Sequence, residues 1–284
     1  MTLSRERGFA RIARAILGLA AASVQALSNA QAPTPETVSF DSGALHLHGL
    51  LYKPDGPGPF SAVLYNHGSS PGMVNNAAFG LIAPAFVAHG WVFFAPYRRG
   101  QGLSQDAGAY IIDEINAARV RGGMSAAAQT MVRLLSTEQL DDQMAGLSWL
   151  RHQPFVRPTR IAVMGNSFGG IETVFGAAHA DYCAAIDASG GAESWDLAPD
   201  LRMLMRRAVH ASKAPLLFLQ AENDYSLSPS RVLYATARSA GKPAEIHLYA
   251  RFGDTAAAGH SFAWRGVQVW KDDVLHFLDQ HCTR

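Results

Sequence analysis

Three residues far apart in the chain could do together what none does alone. They are the serine of Gly165-Asn166-Ser167-Phe168-Gly169, the acid of Asn223-Asp224 and the histidine of Gly259-His260-Ser261-Phe262. A serine hydroxyl is a weak nucleophile at neutral pH. It needs an imidazole within hydrogen-bond reach, and that imidazole needs a carboxylate to fix its tautomer and orientation. The chemistry of such a set is acyl transfer, which requires no metal or organic cofactor.

The serine is the best marked of the three. Ile161-Ala162-Val163-Met164 suits a strand buried on both faces, and Ile171 to Ala178 suits a helix, so the pentapeptide between them reads as a sharp strand-to-helix turn. Glycine two residues before and two after Ser167 meets a steric demand, because a Cβ at either place would crowd the turn. The turn sets the backbone N–H of Phe168 beside the nucleophile, at a helix N-terminus that favours negative charge.

Position selects the histidine and the acid. In doubly wound sheets reactive groups gather outside the carboxyl ends of the strands. That criterion sets aside His89, His152, His179, His210, His247, His276 and His281, which fall in or at the ends of helices and strands, and keeps His260 after the last strand. Among acids it selects Asp224, with Glu222 beside it and Asp187 and Asp254 as further candidates.

Two more loops belong to that edge. Ser61 to Asn66 reads as a buried strand running into His67-Gly68-Ser69-Ser70, where a backbone N–H free of secondary structure can face a developing oxyanion. Ser69 is the first choice for that donor and Ser70 the second, with His67 shaping the loop. After the strand Trp91 to Pro96, Arg98 and Arg99 could either clamp a substrate carboxylate or pair with protein groups.

The remaining elements alternate. A hairpin at Val38 to Tyr52 turns at Asp41-Ser42-Gly43, and strands and helices then alternate to a closing helix at Arg265 to Gln280. This predicts a mostly parallel, doubly wound α/β sheet. Residues 104 to 140 hold more chain than one crossover helix needs, which predicts a helical insertion serving as a lid or as packing, with Ser125 and Thr137 as helix caps. His46 and His48 alternate on one face of the hairpin as two metal ligands would, but no third ligand is recognisable, so a solvated face is expected.

Composition bounds the partners. The 284 residues hold 24 basic and 23 acidic side chains, for a net charge of +1. Arg5, Arg7, Arg11 and Arg14 precede the uncharged run Ala15 to Leu27 and Ser28-x-Ala30, the pattern of a signal peptide over 1–30 that implies export to the periplasm or beyond. Its removal leaves 20 basic and 22 acidic residues, so neither nucleic acid nor an anionic membrane is an expected partner. No cysteine near the cleavage site suggests a lipid anchor. Cys183 and Cys282 can form one bridge or remain two buried thiols.

Asn66-His67-Gly68, Arg98-Arg99-Gly100-Gln101-Gly102, the serine turn with Gly170, Asn223-Asp224 and Gly259-His260-Ser261-Phe262, in that order, resemble the dienelactone-hydrolase-related branch of the α/β-hydrolases. That branch grades into the prolyl-oligopeptidase-like serine hydrolases. The resemblance spans residues 31–284 and implies the α/β-hydrolase fold, a sheet of about eight strands and a Ser167-His260-Asp224 triad. Dienelactone hydrolases proper carry a nucleophilic cysteine where this chain has Ser167. The implied substrate is therefore a small carboxylic ester, with a peptidase or amidase, or a non-catalytic binding protein, as alternatives.

Overall fold

The computed structural model describes residues 34–69 and 77–282. The expected signal peptide over 1–30 and the second oxyanion candidate, Ser70, lie outside the described residues.

The chain opens with the hairpin β1 (Glu36–Ser42) and β2 (Leu45–Tyr52), turning at Gly43, whose φ of +58° favours glycine. Next come β3 (Phe60–Asn66), α1 (Ala77–Ala88), β4 (Trp91–Pro96), α2 (Ile111–Ser136), α3 (Glu138–Arg151) and β5 (Val156–Asn166). The second half continues with α4 (Phe168–His179), β6 (Ala185–Ala188), α5 (Pro199–Ala211), β7 (Leu216–Ala221), α6 (Ser228–Ser239) and β8 (Ala244–Tyr249). Two short helices, α7 (Ala256–His260) and α8 (Phe262–Arg265), precede the closing α9 (Val267–His281).

The eight strands form one sheet in the order β1-β2-β4-β3-β5-β6-β7-β8. The hairpin adds at one edge with β2 antiparallel to β4, and every later pairing is parallel. Parallel strands need crossover helices, which cover both faces, so the central strands are apolar at successive positions. Val63, Phe93 and Ala162 pack with Phe79 and Ile82 of α1 and Trp270 and Val274 of α9. Their neighbours Leu64, Phe94 and Val163 point the other way, into Leu135, Leu147, Val174, Leu201 and Leu233 of α2 to α6. The carboxyl ends of β3 to β8 thereby share one rim.

The insertion is helical throughout: α2 is broken at Gly122 and Gly123, where φ of Gly123 is +72°, so that with α3 it forms three helical segments. Thr137 stands at the N-cap of α3 as expected, but its hydroxyl makes no capping bond and donates back to the Arg133 carbonyl at 2.7 Å. The helix packs against α3, α4 and α5, burying Ile111, Met131 and Leu135. That contact makes it a packing extension of one helical layer.

Cys183 and Cys282 are joined in a disulfide across 99 residues of chain, tying the end of α9 to the start of β6. Closing a loop that long removes substantial chain entropy from the unfolded state. Cys183→Ser with Cys282→Ser is expected to cost about 2–5 kcal/mol in denaturant unfolding. A loss under about 1 kcal/mol would mean that packing of Trp270 and Phe277 alone holds α9. On the hairpin, His46 bonds Asp41 at 2.8 Å and His48 bonds Ser39 at 2.9 Å. No metal-ligating group of three occurs among the described residues.

Candidate active site

Ser167 sits between β5 and α4 with φ +56° and ψ −122°, a conformation that a non-glycine residue adopts only when its surroundings impose it. Those surroundings are the flanking glycines. A Cβ on Gly165 would stand 2.3 Å from the Gly169 carbonyl oxygen, and one on Gly169 would stand 2.0 Å from that of Asn66. Phe168 is the first residue of α4, so its N–H belongs to the turn that has no intrahelical acceptor.

The loop after β3 is fastened to this turn. Asn166 Oδ1 accepts from the Gly68 N–H at 3.0 Å and from the Tyr65 hydroxyl at 2.9 Å. The His67 Nδ1–H donates to the Gly68 carbonyl at 2.7 Å, which leaves Nε2 as the unprotonated nitrogen. Burial and the nearby Arg98 charge push this imidazole well below its ordinary pKa, so the ring is neutral.

His260 is the last residue of α7, a five-residue helix whose start is capped by the Thr255 side chain, rather than a loop residue as expected. Its Nδ1–H donates to Asp224 Oδ1 at 2.8 Å. Asp224 follows β7 and also accepts from the Tyr225 N–H at 2.7 Å and the Gln220 amide at 2.8 Å. Burial alone would raise the Asp224 carboxyl, but the His260 hydrogen bond and charge and the Gln220 amide outweigh it and lower its pKa. For His260 burial acts downward, while Asp224 and the more distant Glu193 carry the ring above its ordinary 6.5. The tautomer fixed by Asp224 leaves Nε2 with its lone pair, buried and without a partner among the described residues.

Ser167, His260 and Ser69 line one cavity of about 270 Å³ together with Glu193 and the aromatic rings of Tyr65, Phe79 and Trp264. Ser167 and His260 thus line one cavity while Asp224 holds the imidazole, and no hydrogen bond joins the Ser167 hydroxyl to His260 Nε2 among the described residues. The other acids do not reach the imidazole: Glu222 and Asp254 are exposed, and Asp187 accepts from the Gly190 N–H at 2.8 Å, its carboxyl raised to about 7 by burial.

Of the two roles open to Arg98 and Arg99, the structure shows pairing with protein groups, and their assignment to substrate binding is corrected. Arg98 is 3% exposed and pairs with the fully buried Glu172 of α4. The terminal nitrogen that pairs with Glu172 also donates to the His67 carbonyl, and the second terminal nitrogen donates to the Ser69 hydroxyl, each at 2.8 Å. Arg99 binds Asp142 of α3 through Nε at 2.9 Å and a terminal nitrogen at 2.6 Å. Both guanidinium groups are consumed by carboxylates within the fold, and Arg98 holds the His67-Gly68-Ser69 loop from behind. Glu172 went unnoticed in the sequence, although an acid within the apolar run Ile171 to Ala178 is the signal of a buried ion pair. Glu193 and Trp264 carried no such signal, because the paths of their loops follow from packing.

An eight-stranded sheet of this order, with a strained serine turn at β5 and an Asp-His pair after β7 and β8, defines a serine hydrolase of the α/β-hydrolase superfamily. Residues 47–273 match the dienelactone hydrolase family, and the chain belongs to it. The chain is 24% identical over 251 residues to a Bacillus subtilis (strain 168) protein named "Uncharacterized peptidase YtmA", covering 76% of this chain and 84% of that one. Among solved structures, the acylaminoacyl peptidase of Pyrococcus horikoshii superposes with a TM-score of 0.67 at 20% identity over 90% of this chain. This chain spans only 42% of that peptidase's length. The Pyrococcus furiosus esterase Pf2001 superposes with a TM-score of 0.62 at 14% identity, covering 88% of this chain and 93% of the esterase.

Proposed function

We propose that the protein hydrolyses small carboxylic esters through an acyl-serine intermediate. The observation that carries this reading is His260, held by Asp224 through its Nδ1–H and lining the cavity that Ser167 also lines. His260 takes the Ser167 proton as the hydroxyl oxygen attacks the ester carbonyl, and Asp224 stabilises the imidazolium. The N–H groups of Phe168 and Ser69 receive the oxyanion. The imidazolium then protonates the departing alcohol, and water, deprotonated by the same imidazole, releases the acid from Ser167.

The names of the Bacillus protein and the Pyrococcus horikoshii peptidase favour a second reading, in which the same groups cleave an amide. Turnover of p-nitrophenyl esters against aminoacyl p-nitroanilides separates the two. Faster ester cleavage is expected, and faster anilide cleavage would reverse the order.

The acid limb of kcat/KM supplies a further check. His260 must be neutral to accept a proton, and its pKa lies above the ordinary 6.5. Activity is therefore expected to fall as pH drops, with a midpoint above 6.5. A midpoint below that value would contradict the Asp224–His260 pairing.

Export is part of the same proposal. The basic and apolar pattern of residues 1–30 suggests it, and a disulfide is the bond an oxidising compartment preserves.

A further inference from the structure

Glu193 has no use in acyl transfer, yet it lines the cavity beside Ser167 and His260. It lies in the loop after β6, exposed to solvent, and forms no ion pair among the described residues. Its charge is felt at His260 and at Tyr225, whose ring stands edge-on to the imidazole with centroids 5.4 Å apart.

No Lys or Arg is among the described residues lining the cavity to oppose this carboxylate. Arg98 and Arg99 are spent on Glu172 and Asp142. His67 is neutral, because its Nδ1–H is committed to the Gly68 carbonyl and burial disfavours a second proton. His260 is neutral in the form that accepts the serine proton. With His260 in that form, Glu193 is the one charged side chain among the described residues lining the cavity.

The walls suit the same ligand. Of the aromatic residues lining it, Trp264 is partly exposed while Tyr65 and Phe79 are buried, and an aromatic ring beside a carboxylate suits an organic cation. Trp264 already holds one cation, the Arg265 guanidinium, 5.7 Å from its ring centroid. At about 270 Å³ the cavity falls below the roughly 300–1,000 Å³ of sites for drug-sized molecules, so a short substrate fits.

We propose that Glu193 determines specificity, and that the enzyme prefers small esters bearing an alkylammonium group over neutral or anionic ones. This rests on the ester-hydrolase reading and names the substrate class of the same site.

The test compares matched esters on the wild-type protein and Glu193→Gln, with rates followed by pH-stat at about pH 7, where an alkylammonium is charged. Acetylcholine against its carbon isostere 3,3-dimethylbutyl acetate places the charge on the alcohol side. Alanine ethyl ester against ethyl propionate places it on the acyl side, and monoethyl succinate supplies an anion. The wild type is expected to favour at least one cationic partner by about three- to fivefold in kcat/KM, the span of a partly exposed ion pair, and to disfavour the anion. Glu193→Gln loses that preference, read as the ratio of kcat/KM within each matched pair, and about 1 M salt weakens the wild-type preference. Equal rates within both pairs, or a preference that survives the substitution, would overturn the proposal.

A second readout needs no ester. Tetramethylammonium is expected to slow fluorophosphonate labelling of Ser167 in the wild type and not in Glu193→Gln. If no ester is turned over but this difference remains, the cation site stands and the ester reading falls. If labelling is equally fast with and without the cation in both proteins, the cation site falls.

Discussion

Replacing Ser167 with alanine is expected to lower kcat for ester hydrolysis by about a million-fold, and His260→Ala by a similar factor. The double variant should be little worse than either, because nucleophile and base act as one unit and the loss of either removes the whole advantage. Asp224→Asn should cost about 10⁴-fold, since the amide presents a donor where the imidazole N–H requires an acceptor. All three variants keep the strands and glycines that shape the rim, so their far-ultraviolet circular dichroism should match the wild type. Independent, multiplying losses for Ser167 and His260 would show that they do not share one step.

Arg98→Ala is expected to cost stability and activity together. The guanidinium and Glu172 are both buried, and removing one partner leaves the other charge without compensation, an effect of about 3–5 kcal/mol. Burial pushes the Glu172 carboxyl up from the ordinary 4.5 while Arg98 opposes that shift, so in the variant the carboxyl rises further. A group whose folded pKa is raised binds protons more readily in the native state, so stability is lost as pH rises. The destabilisation should thus be larger at about pH 8 than at about pH 5 in guanidinium unfolding. Arg98 also holds the His67 carbonyl and the Ser69 hydroxyl. Loosening that loop should lower kcat by about 10²–10³-fold, the effect of one oxyanion donor, with a smaller change in KM. Full activity in folded Arg98→Ala would show that Ser69 is positioned by other contacts.

The serine turn was legible in the sequence because its sterics leave no choice: Gly165 and Gly169 sit where a Cβ would overlap backbone oxygens. His260 and Asp224 were legible through topology, since only the chain after β7 and β8 reaches the rim at those points. The fate of Arg98 and Arg99 was not, because a guanidinium serves substrate and protein carboxylates equally well. Only the packing of α4 and α3 against the sheet supplies Glu172 and Asp142 as partners. The same limit applies to Thr137, whose hydroxyl donates back to the Arg133 carbonyl instead of accepting an N–H of α3. Glu193 and Trp264 meet Ser167 through loops whose course no local pattern encodes.

The Ser167 hydroxyl is the group expected to be activated at this rim. Incubating the folded protein with a fluorophosphonate and mapping the adduct by peptide mass spectrometry should give one phosphonylated residue, Ser167, with labelling lost in His260→Ala. An adduct on any other side chain, or none on the folded wild-type protein, would contradict it.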